Sequence, residues 1–197
     1  MKNFKIDNKW YRLDEKTHIL FLDKESRLSE DEEKLRYLKH QNDTPDYQNY
    51  MNDLFNSFIK PYIKKGSTLD FGCGPKQMFK GLINGLSAYD KFFFKDETVF
   101  NQMYDNILMI EVIEHLSDPL KELERLIKVL NNGGRLFIKT LFYNLDSLSS
   151  WWYLRDKTHV SFFNLESFKY ISDIFNLKII YTDNKREIIL EKCYNNT

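Results

Sequence analysis

The sequence predicts an α/β fold in which helices flank a doubly wound, mostly parallel sheet, with a small N-terminal extension before it. Three observations predict this fold: an apolar run at 68–71 that breaks into glycines, a second candidate strand at 86–89, and a third at 104–111 followed by an amphipathic helix. Alternating strands and helices are typical of parallel sheets, because parallel neighbours need a crossover connection. At 197 residues the chain is long enough for one such domain and short for two.

Composition narrows the classes of function. Lys and Arg together number 29, as do Asp and Glu, and the isoelectric point is about 6.9. This balance favours a small-molecule or local protein substrate over nucleic acid or an anionic membrane. The two cysteines, Cys73 and Cys193, suggest no disulfide framework. The first residues lack the apolar core of a signal peptide, and no run approaches the roughly 18 residues of a membrane span. We expect a cytoplasmic protein without membrane partners; the oligomeric state stays open.

The N-terminal extension, residues 1–45, is predicted to contain a short hairpin and a helix. Candidate strands at 10–13 and 18–22 are separated by a polar turn. Ser29 is positioned to cap a helix, and Glu32 lies three residues later in the spacing of a capping box.

The main domain, residues 46–197, is predicted to open with a second helix over 47–63, where aromatic and aliphatic residues recur at helical spacing. These rings have two interpretations. They pack against the main sheet, or the preceding helical segment covers a ligand cleft with Tyr37, His40 and Asn42 facing it.

The glycine turn after the first main strand is the centre of the predicted site. The strand ends at the carboxylate of Asp70, and Gly72 and Gly74 follow before a predicted short helix around 78–83. Glycines let the backbone approach a ligand closely, and helix N-terminal N–H groups and an acid offer complementary hydrogen bonds. Asp90 follows the second strand, where an acid can accept both hydroxyls of a ribose. The pair suits a nucleoside better than a diphosphate.

The second half of the chain continues the alternation. The strand at 104–111 ends in Glu111, and a helix at 120–130 with one apolar face leads through a Gly-Gly turn to a strand at 135–140. The loop at 151–163 carries Trp and His residues between a strand and a helix, where open α/β sheets bind ligands. The remaining predicted elements are a helix at 165–175, a strand at 177–181 and a final antiparallel strand at 187–192.

These segments resemble the motifs of class I S-adenosylmethionine-dependent methyltransferases. LDFGCG at 69–74 resembles their motif I, and 105–115, which ends in EVIEH, resembles the segment at their fourth strand. RYLKHQN at 36–42 and RDKTHVSF at 155–162 resemble bacterial methyltransferase-domain proteins of types 11 and 23. In those relatives cysteine pairs form an N-terminal zinc-ribbon-like piece. No cysteine precedes Cys73 here, so we expect no metal.

The resemblance implies a Rossmann-like sheet of seven mostly parallel strands with an antiparallel last strand. It implies S-adenosyl-L-methionine as cofactor, S-adenosyl-L-homocysteine as product, and transfer of a methyl group to an unidentified, small-molecule acceptor. The residues it assigns to the cofactor are Asp70, Gly72, Cys73, Gly74, Asp90, Lys91, Glu111 and Val112.

Methyl transfer needs positioned reactants and exclusion of water, and a base is optional. If a base acts, His159 is the first candidate and His115 the second. Each also has a structural interpretation: His115 caps the next helix or bonds a carbonyl, and His159 orders its loop. The predicted substrate-binding residues are Trp152, Arg155, Tyr37 and His40. Arg155 with Asp156 can equally form a surface ion pair of little energetic value.

Two rival functions were weighed against methyl transfer. A nicotinamide-dependent oxidoreductase would show Gly-x-Gly-x-x-Gly, whereas position 77 is Gln, and it gives no reason for EVIEH at 111–115. A P-loop is excluded, because Lys76 is followed by Gln77 instead of Ser or Thr. The second rival is a methyltransferase fold that lost turnover and serves as a binding or scaffold protein, suggested by the missing third glycine and zinc cysteines.

Overall fold

The computed structural model describes residues 2–39 and 44–194. Within these residues the chain forms four α-helices and ten strands. The helices are α1 (Glu30–Leu38), α2 (Pro45–Leu54), α3 (Pro119–Lys128) and α4 (Leu165–Ile174). The strands are β1 (Lys2–Ile6), β2 (Lys9–Leu13), β3 (Leu20–Leu22), β4 (Thr68–Phe71), β5 (Leu86–Tyr89), β6 (Tyr104–Ile110), β7 (Leu130–Lys139), β8 (Ser161–Phe162), β9 (Leu177–Thr182) and β10 (Glu187–Lys192). None of these helices combines the length and the apolarity that a bilayer crossing requires.

The larger sheet confirms the predicted α/β fold. Its strand order is β5-β4-β6-β7-β10-β9, and the first four strands are parallel. β10 runs antiparallel to both β7 and β9, as predicted for the last strand. The central strands are fully buried at Leu69, Ile107 and Leu136, which explains why they read as continuous apolar runs.

The order of connections fixes where a ligand can bind. From β4 the chain first crosses to β5 on one side, and it then returns past β4 to β6 on the other side. The connections therefore diverge at the carboxyl ends of β4 and β6. In open α/β sheets such a switch point leaves a crevice outside the strand ends.

The sheet has six strands in the described residues, and the seventh strand implied by the resemblance is not among them. The segment 90–103 between β5 and β6 is the reason. It holds an isolated bridge between Asp90 and Phe94 and a 3₁₀ helix at Glu97–Asn101. One parallel crossover needs a dozen or more residues, so this segment has no room for an extra strand with its own two connections.

The helix predicted around 78–83 is also absent, and this prediction was wrong. Consecutive turns occupy 74–85. Gln77 has a φ of +47°, in the left-handed region that a right-handed helix excludes. Phe79 and Ile83 are nonetheless buried, so the apolar spacing was correct while the backbone was not helical.

The smaller sheet joins the first strands of the chain to a strand from its second half. Its order is β1-β2-β3-β8, with all neighbours antiparallel, and β2 and β3 form the predicted hairpin. β3 pairs with β8 through Leu20 opposite Phe162 and Phe21 opposite Ser161. The predicted N-terminal extension therefore contributes strands to a sheet that also contains a strand of the predicted main domain.

The first two helices begin as their sequence indicates. Ser29 and Glu32 form the predicted capping box at the start of α1. Thr44 caps α2, which continues as a π-helical turn at Phe55–Ile59 and ends short of the predicted residue 63. The buried residues of α2 and the π-helical turn pack with Leu108 and Phe137 of the main sheet.

Candidate functional site

A cavity of about 620 Å³ lies at the carboxyl edge of the larger sheet. This volume is within the range of roughly 300–1,000 Å³ that small-molecule and cofactor sites occupy. The walls come from the loops after β4, β5 and β6 and from α1, with one further side from the loop that carries His159. The cavity therefore occupies the crevice that the strand order predicts.

Asp70 and Asp90 both line the cavity and both are largely buried, with exposed fractions of 4% and 9%. Burial, together with the neighbouring charge of Asp90, raises the pKa of Asp70 to about 7. Asp90 accepts hydrogen bonds from the backbone N–H groups of Gly74 at 3.0 Å, Phe92 at 2.8 Å and Phe93 at 3.2 Å. The carboxylate of Asp90 thus joins two loops, and its oxygens offer about four acceptor positions in all.

Glycine occupies the two positions of the turn for different structural reasons. Gly72 has a φ of +79°, and a Cβ at this position would lie 2.4 Å from a methyl group of Val112. Gly74 has a φ of +59°, and a Cβ there would meet no atom within 4 Å. Gly72 is therefore required by packing against the chain after β6, whereas a side chain at Gly74 would project into open space beside the cavity.

The far end of the cavity begins at Glu111, directly after β6. Glu111 has a φ of +54°, a strained conformation for a residue other than glycine. Lys139 Nζ donates to its carboxylate at 2.6 Å, and Tyr153 Oη lies 3.2 Å from the same carboxylate. Lys139 is buried at the end of β7; burial acts to lower its pKa, but the charge of Glu111 prevails and raises it. This ion pair fixes the carboxylate at the strand edge.

Glu114, His115 and His159 form a cluster in the cavity wall. The side chain of Glu114 is fully buried, and Tyr153 Oη donates to Oε1 at 2.5 Å while Oε2 has no hydrogen-bond partner. The imidazole rings of His115 and His159 lie 4.9 Å apart. Each ring has its Nδ1 beside a backbone carbonyl, Thr158 O at 3.1 Å for His115 and Tyr153 O at 2.9 Å for His159.

The hydrogen bonds define the tautomers and the charge state of this cluster. A carbonyl oxygen only accepts, so each Nδ1 carries the proton and each Nε2 keeps its lone pair. Burial, with a contribution from His159, lowers the pKa of His115 to about 3, and burial also lowers the pKa of His159. Burial and the charge of Glu111 raise the pKa of Glu114 well above its usual range. Because the pKa values of both histidines are lowered, both imidazoles are neutral at neutral pH.

Helix α1 covers the cavity. Tyr37 lines it and packs edge-on against His115 with ring centroids 5.4 Å apart. On one side Glu33 binds Lys91 Nζ at 2.8 Å, and on the other Arg36 binds the carboxylate of Asp156. The helix is thus tied to two walls of the cavity.

The structure brings most of the predicted site residues together. The residues predicted for the cofactor and both candidate histidines line the cavity, as does Tyr37. Trp152 is 62% exposed and Arg155 is exposed, and neither is among the lining residues. Asp156 pairs with Arg36 from the N-terminal extension, so the suggested pair with Arg155 was wrong. His40 and Asn42 lie outside the described residues.

Sequence reasoning missed Lys139, Tyr153 and the role of Glu114. Glu114 belongs to the EVIEH segment at 111–115, but the sequence alone does not assign it to the site. Lys139 carried a usable signal: a lysine at the end of an apolar strand needs a buried counter-charge, and the neighbouring strand ends in Glu111. Tyr153 gave no signal, because nothing in its sequence surroundings indicates which carboxylate its hydroxyl reaches.

Residues 40–182 match the model of a family described as a methyltransferase domain. A tRNA U34 carboxymethyltransferase from Campylobacter fetus subsp. fetus (strain 82-40) is 45% identical over 47 residues, which are 24% of this chain and 17% of the relative. The aligned part of this chain thus spans about a sixth of the length of that relative.

Two solved structures share the fold. One is a SAM-dependent methyltransferase from Archaeoglobus fulgidus, with a TM-score of 0.54 and 17% identity over 74% of this chain and 94% of that one. The other belongs to a complex between the Haloferax volcanii Trm112 methyltransferase activator and the putative methyltransferase, with a TM-score of 0.55 and 13% identity over 85% of this chain and 100% of that one.

Proposed function

The chain belongs to the methyltransferase-domain family of class I enzymes, which use S-adenosylmethionine, and we propose that it transfers the methyl group to an acceptor held beside Glu111, His115 and His159. One observation carries the proposal. A single cavity joins two parts, a carboxylate-and-glycine end at Asp70, Gly74 and Asp90, and a histidine-and-carboxylate end after β6.

The first end fits a nucleoside-bearing cofactor. Asp90 uses three backbone donors and keeps about one acceptor position for a ribose hydroxyl. Gly74 leaves open space where any side chain would intrude, and Phe92 and Phe93 line the same part of the cavity. When bound, S-adenosylmethionine supplies a methyl group on a sulfonium centre. The residues of this end bind and orient it.

The second end would position the acceptor and exclude water. Tyr37 and α1 close the cavity above this end, and water exclusion favours displacement at a charged centre. His159 and His115 each keep a lone pair on Nε2, so either can accept a proton from a hydroxyl or amine. Their lowered pKa values make them weaker bases than free histidine. Positioning of the two reactants would therefore supply most of the acceleration.

A small-molecule acceptor is the first candidate, because the net charge is zero and helix α1 covers part of the cavity. A tRNA acceptor is the second candidate, because the Campylobacter relatives are tRNA U34 carboxymethyltransferases. The match covers only 17% of the Campylobacter fetus relative, so its tRNA substrate is weak evidence for this chain. The zero net charge, which does not favour binding to nucleic acid, is the stronger evidence.

Calorimetric titration with S-adenosylmethionine and with NAD tests the cofactor, with Asp90→Ala as the site variant and the exposed carboxylate variant Asp146→Asn as control. We expect binding of S-adenosylmethionine by the wild type and by Asp146→Asn, and at least tenfold weaker binding by Asp90→Ala. A preference for NAD would support the oxidoreductase instead.

Transfer of a labelled methyl group into a fractionated metabolite extract and into bulk tRNA then separates the acceptors. Label in the metabolite fraction supports the first candidate and label in tRNA the second. Binding of the cofactor without transfer to either fraction would favour the inactive binding protein and contradict methyl transfer.

A further inference from the structure

We propose that Glu114, His115 and His159 bind one divalent first-row transition-metal ion in the cavity wall. The three side chains each offer one donor atom, and these atoms all lie within 4.8 Å of one another. The donors come from two separate segments, the turn after β6 and the loop before β8, so the fold brings them together.

The hydrogen bonds around the histidines prepare them as ligands. Both rings donate Nδ1–H to a backbone carbonyl, at 3.1 Å for His115 and 2.9 Å for His159. Each Nε2 therefore keeps its lone pair, in a ring whose orientation is fixed. Metal-bound histidines almost always donate their second ring nitrogen to a carbonyl or carboxylate in this way.

The carboxylate of Glu114 gives independent support for a bound cation. Glu114 is fully buried, its Oε1 accepts from Tyr153 Oη, and its Oε2 has no hydrogen-bond partner. A buried carboxylate oxygen without a partner is unfavourable, since burial removes its water and nothing replaces it. A bound cation would supply the missing partner while Tyr153 continues to orient the group.

The spacing of the donors is close to what an ion requires. With metal–ligand distances of about 2.0–2.2 Å, donors around a tetrahedral ion stand about 3.4 Å apart. The present donor atoms lie within 4.8 Å of one another, so binding an ion would require side-chain rotations that draw them closer. Three protein ligands leave a fourth position for water or substrate, as in catalytic metal sites.

The donor set indicates which ions are suitable. Two imidazoles and one carboxylate suit Zn²⁺, Co²⁺, Mn²⁺ or Fe²⁺, whereas Mg²⁺ and Ca²⁺ prefer oxygen ligands throughout. The missing zinc-ribbon cysteines gave the expectation of no metal in the chain, and a site at this cluster, which contains no cysteine, departs from that expectation.

An ion here would bind an acceptor oxygen and lower the pKa of its hydroxyl, so that the proton would pass to water. Neither histidine would then act as a base, because each Nε2 lone pair would bind the ion. This last step rests on the proposed methyl transfer. Binding of the ion does not, and it can be measured without cofactor or acceptor.

The test is titration of the metal-stripped full chain with Co²⁺ and Zn²⁺, by calorimetry and by the visible absorption of bound Co²⁺. We expect one ion per chain for the wild type and for the control His18→Asn, which removes a histidine outside the cluster and keeps a residue that tolerates its φ of +55°. Glu114→Gln, His115→Gln and His159→Gln should each weaken binding at least tenfold, with circular dichroism confirming the fold.

X-ray absorption of the wild type loaded with Co²⁺ keeps the proposal falsifiable if a variant fails to fold. Two imidazole ligands and one or more oxygens are expected. A spectrum with thiolate ligands, which would place the ion at Cys73 or Cys193, overturns the proposal, and so does unchanged affinity in the three cluster variants or no binding by the wild type. S-adenosylmethionine binding by the metal-stripped chain is measured in parallel, and its loss would count against the proposed function instead.

Discussion

The guanidinium of Arg36 on α1 makes two hydrogen bonds, of 3.1 and 3.2 Å, with the carboxylate of Asp156, which lies 120 residues later in the chain. Burial acts to raise the pKa of Asp156, but hydrogen bonds from Arg36 and Thr158 prevail and hold it below its usual range. The pair therefore ties the helix over the cavity to the loop that carries His159.

Replacing Arg36 should loosen this helix. For Arg36→Gln we expect a loss of about 1 kcal/mol in the free energy of unfolding at pH 7, a modest value because the guanidinium is partly exposed. A lowered carboxyl pKa stabilises above the unfolded value of about 4, so the difference should shrink as the pH falls below that value. Urea unfolding at several pH values measures it. The neighbouring exposed Arg155→Gln is the control and should change stability by less than about 0.5 kcal/mol.

The two glycines should respond differently to alanine. Gly72→Ala combines a positive φ with a contact of 2.4 Å to Val112, and we expect destabilisation of about 3 kcal/mol. Gly74→Ala meets no atom, so it should cost about 1 kcal/mol in stability. It should nevertheless weaken S-adenosylmethionine binding at least tenfold. Thermal unfolding and calorimetric titration of both variants test this contrast.

A second substitution checks the reason given for Gly72. Val112→Ala should recover part of the stability lost in Gly72→Ala, because it removes the two methyl groups nearest the new Cβ. The same substitution should recover nothing in Gly74→Ala. Equal recovery in both backgrounds would mean that the contact with Val112 is not the cause.

The pH dependence of stability should report Asp70. Its pKa is about 7 in the folded protein and 3.8 in a model peptide, so the unfolded chain loses this proton first. The contribution of Asp70 to stability should be highest below about pH 4 and fall until about pH 7, by at most about 4 kcal/mol. Asp70→Asn should flatten the fall and Asp146→Asn should not. Denaturant unfolding between pH 5 and 8 measures the slope, and an unchanged slope in Asp70→Asn would assign it to other groups.

The ion pair between buried Lys139 and half-buried Glu111 should show strong coupling. Lys139→Met leaves Glu111 beside Glu114 without its cation, and we expect destabilisation of about 2 kcal/mol, reduced from the value for a fully buried pair because Glu111 is partly exposed. Lys139→Met with Glu111→Gln should cost at least about 1 kcal/mol less than the sum of the single changes. A double-mutant cycle in urea gives this coupling, and additive losses would show that the two residues act independently.

The sequence predicted the features that depend on local patterns. Apolar runs located β4 to β7, β9 and β10, and Ser29 with Glu32 located the start of α1, because burial and capping depend on neighbouring residues in the sequence. β8 was missed, since the segment 151–163 was predicted to be a loop. Prediction from the sequence also failed where the backbone departs from the usual geometry. Nothing around Gln77 signals its positive φ, so a helix was predicted where turns occur.

The site was predicted in part for the same reason. Asp70 lies near the carboxyl end of β4 and Asp90 directly follows β5, so their position at one edge of the sheet was foreseeable. The partner of Asp156 was not, because Arg36 lies on an extension whose position depends on the pairing of β3 with β8. The cluster of Glu114 with two histidines likewise depends on where the loop before β8 returns to the sheet.

The pairing of Leu20 with Phe162 also has a consequence for synthesis of the protein on the ribosome. The hairpin of β2 and β3 emerges early, yet its neighbouring strand is made some 140 residues afterwards, so at roughly 5–20 residues per second the nascent chain waits on the order of ten seconds with an unpaired strand edge. During that interval the growing chain is open to misassembly with other nascent chains, and codon usage between the two strands would set how long the exposure lasts.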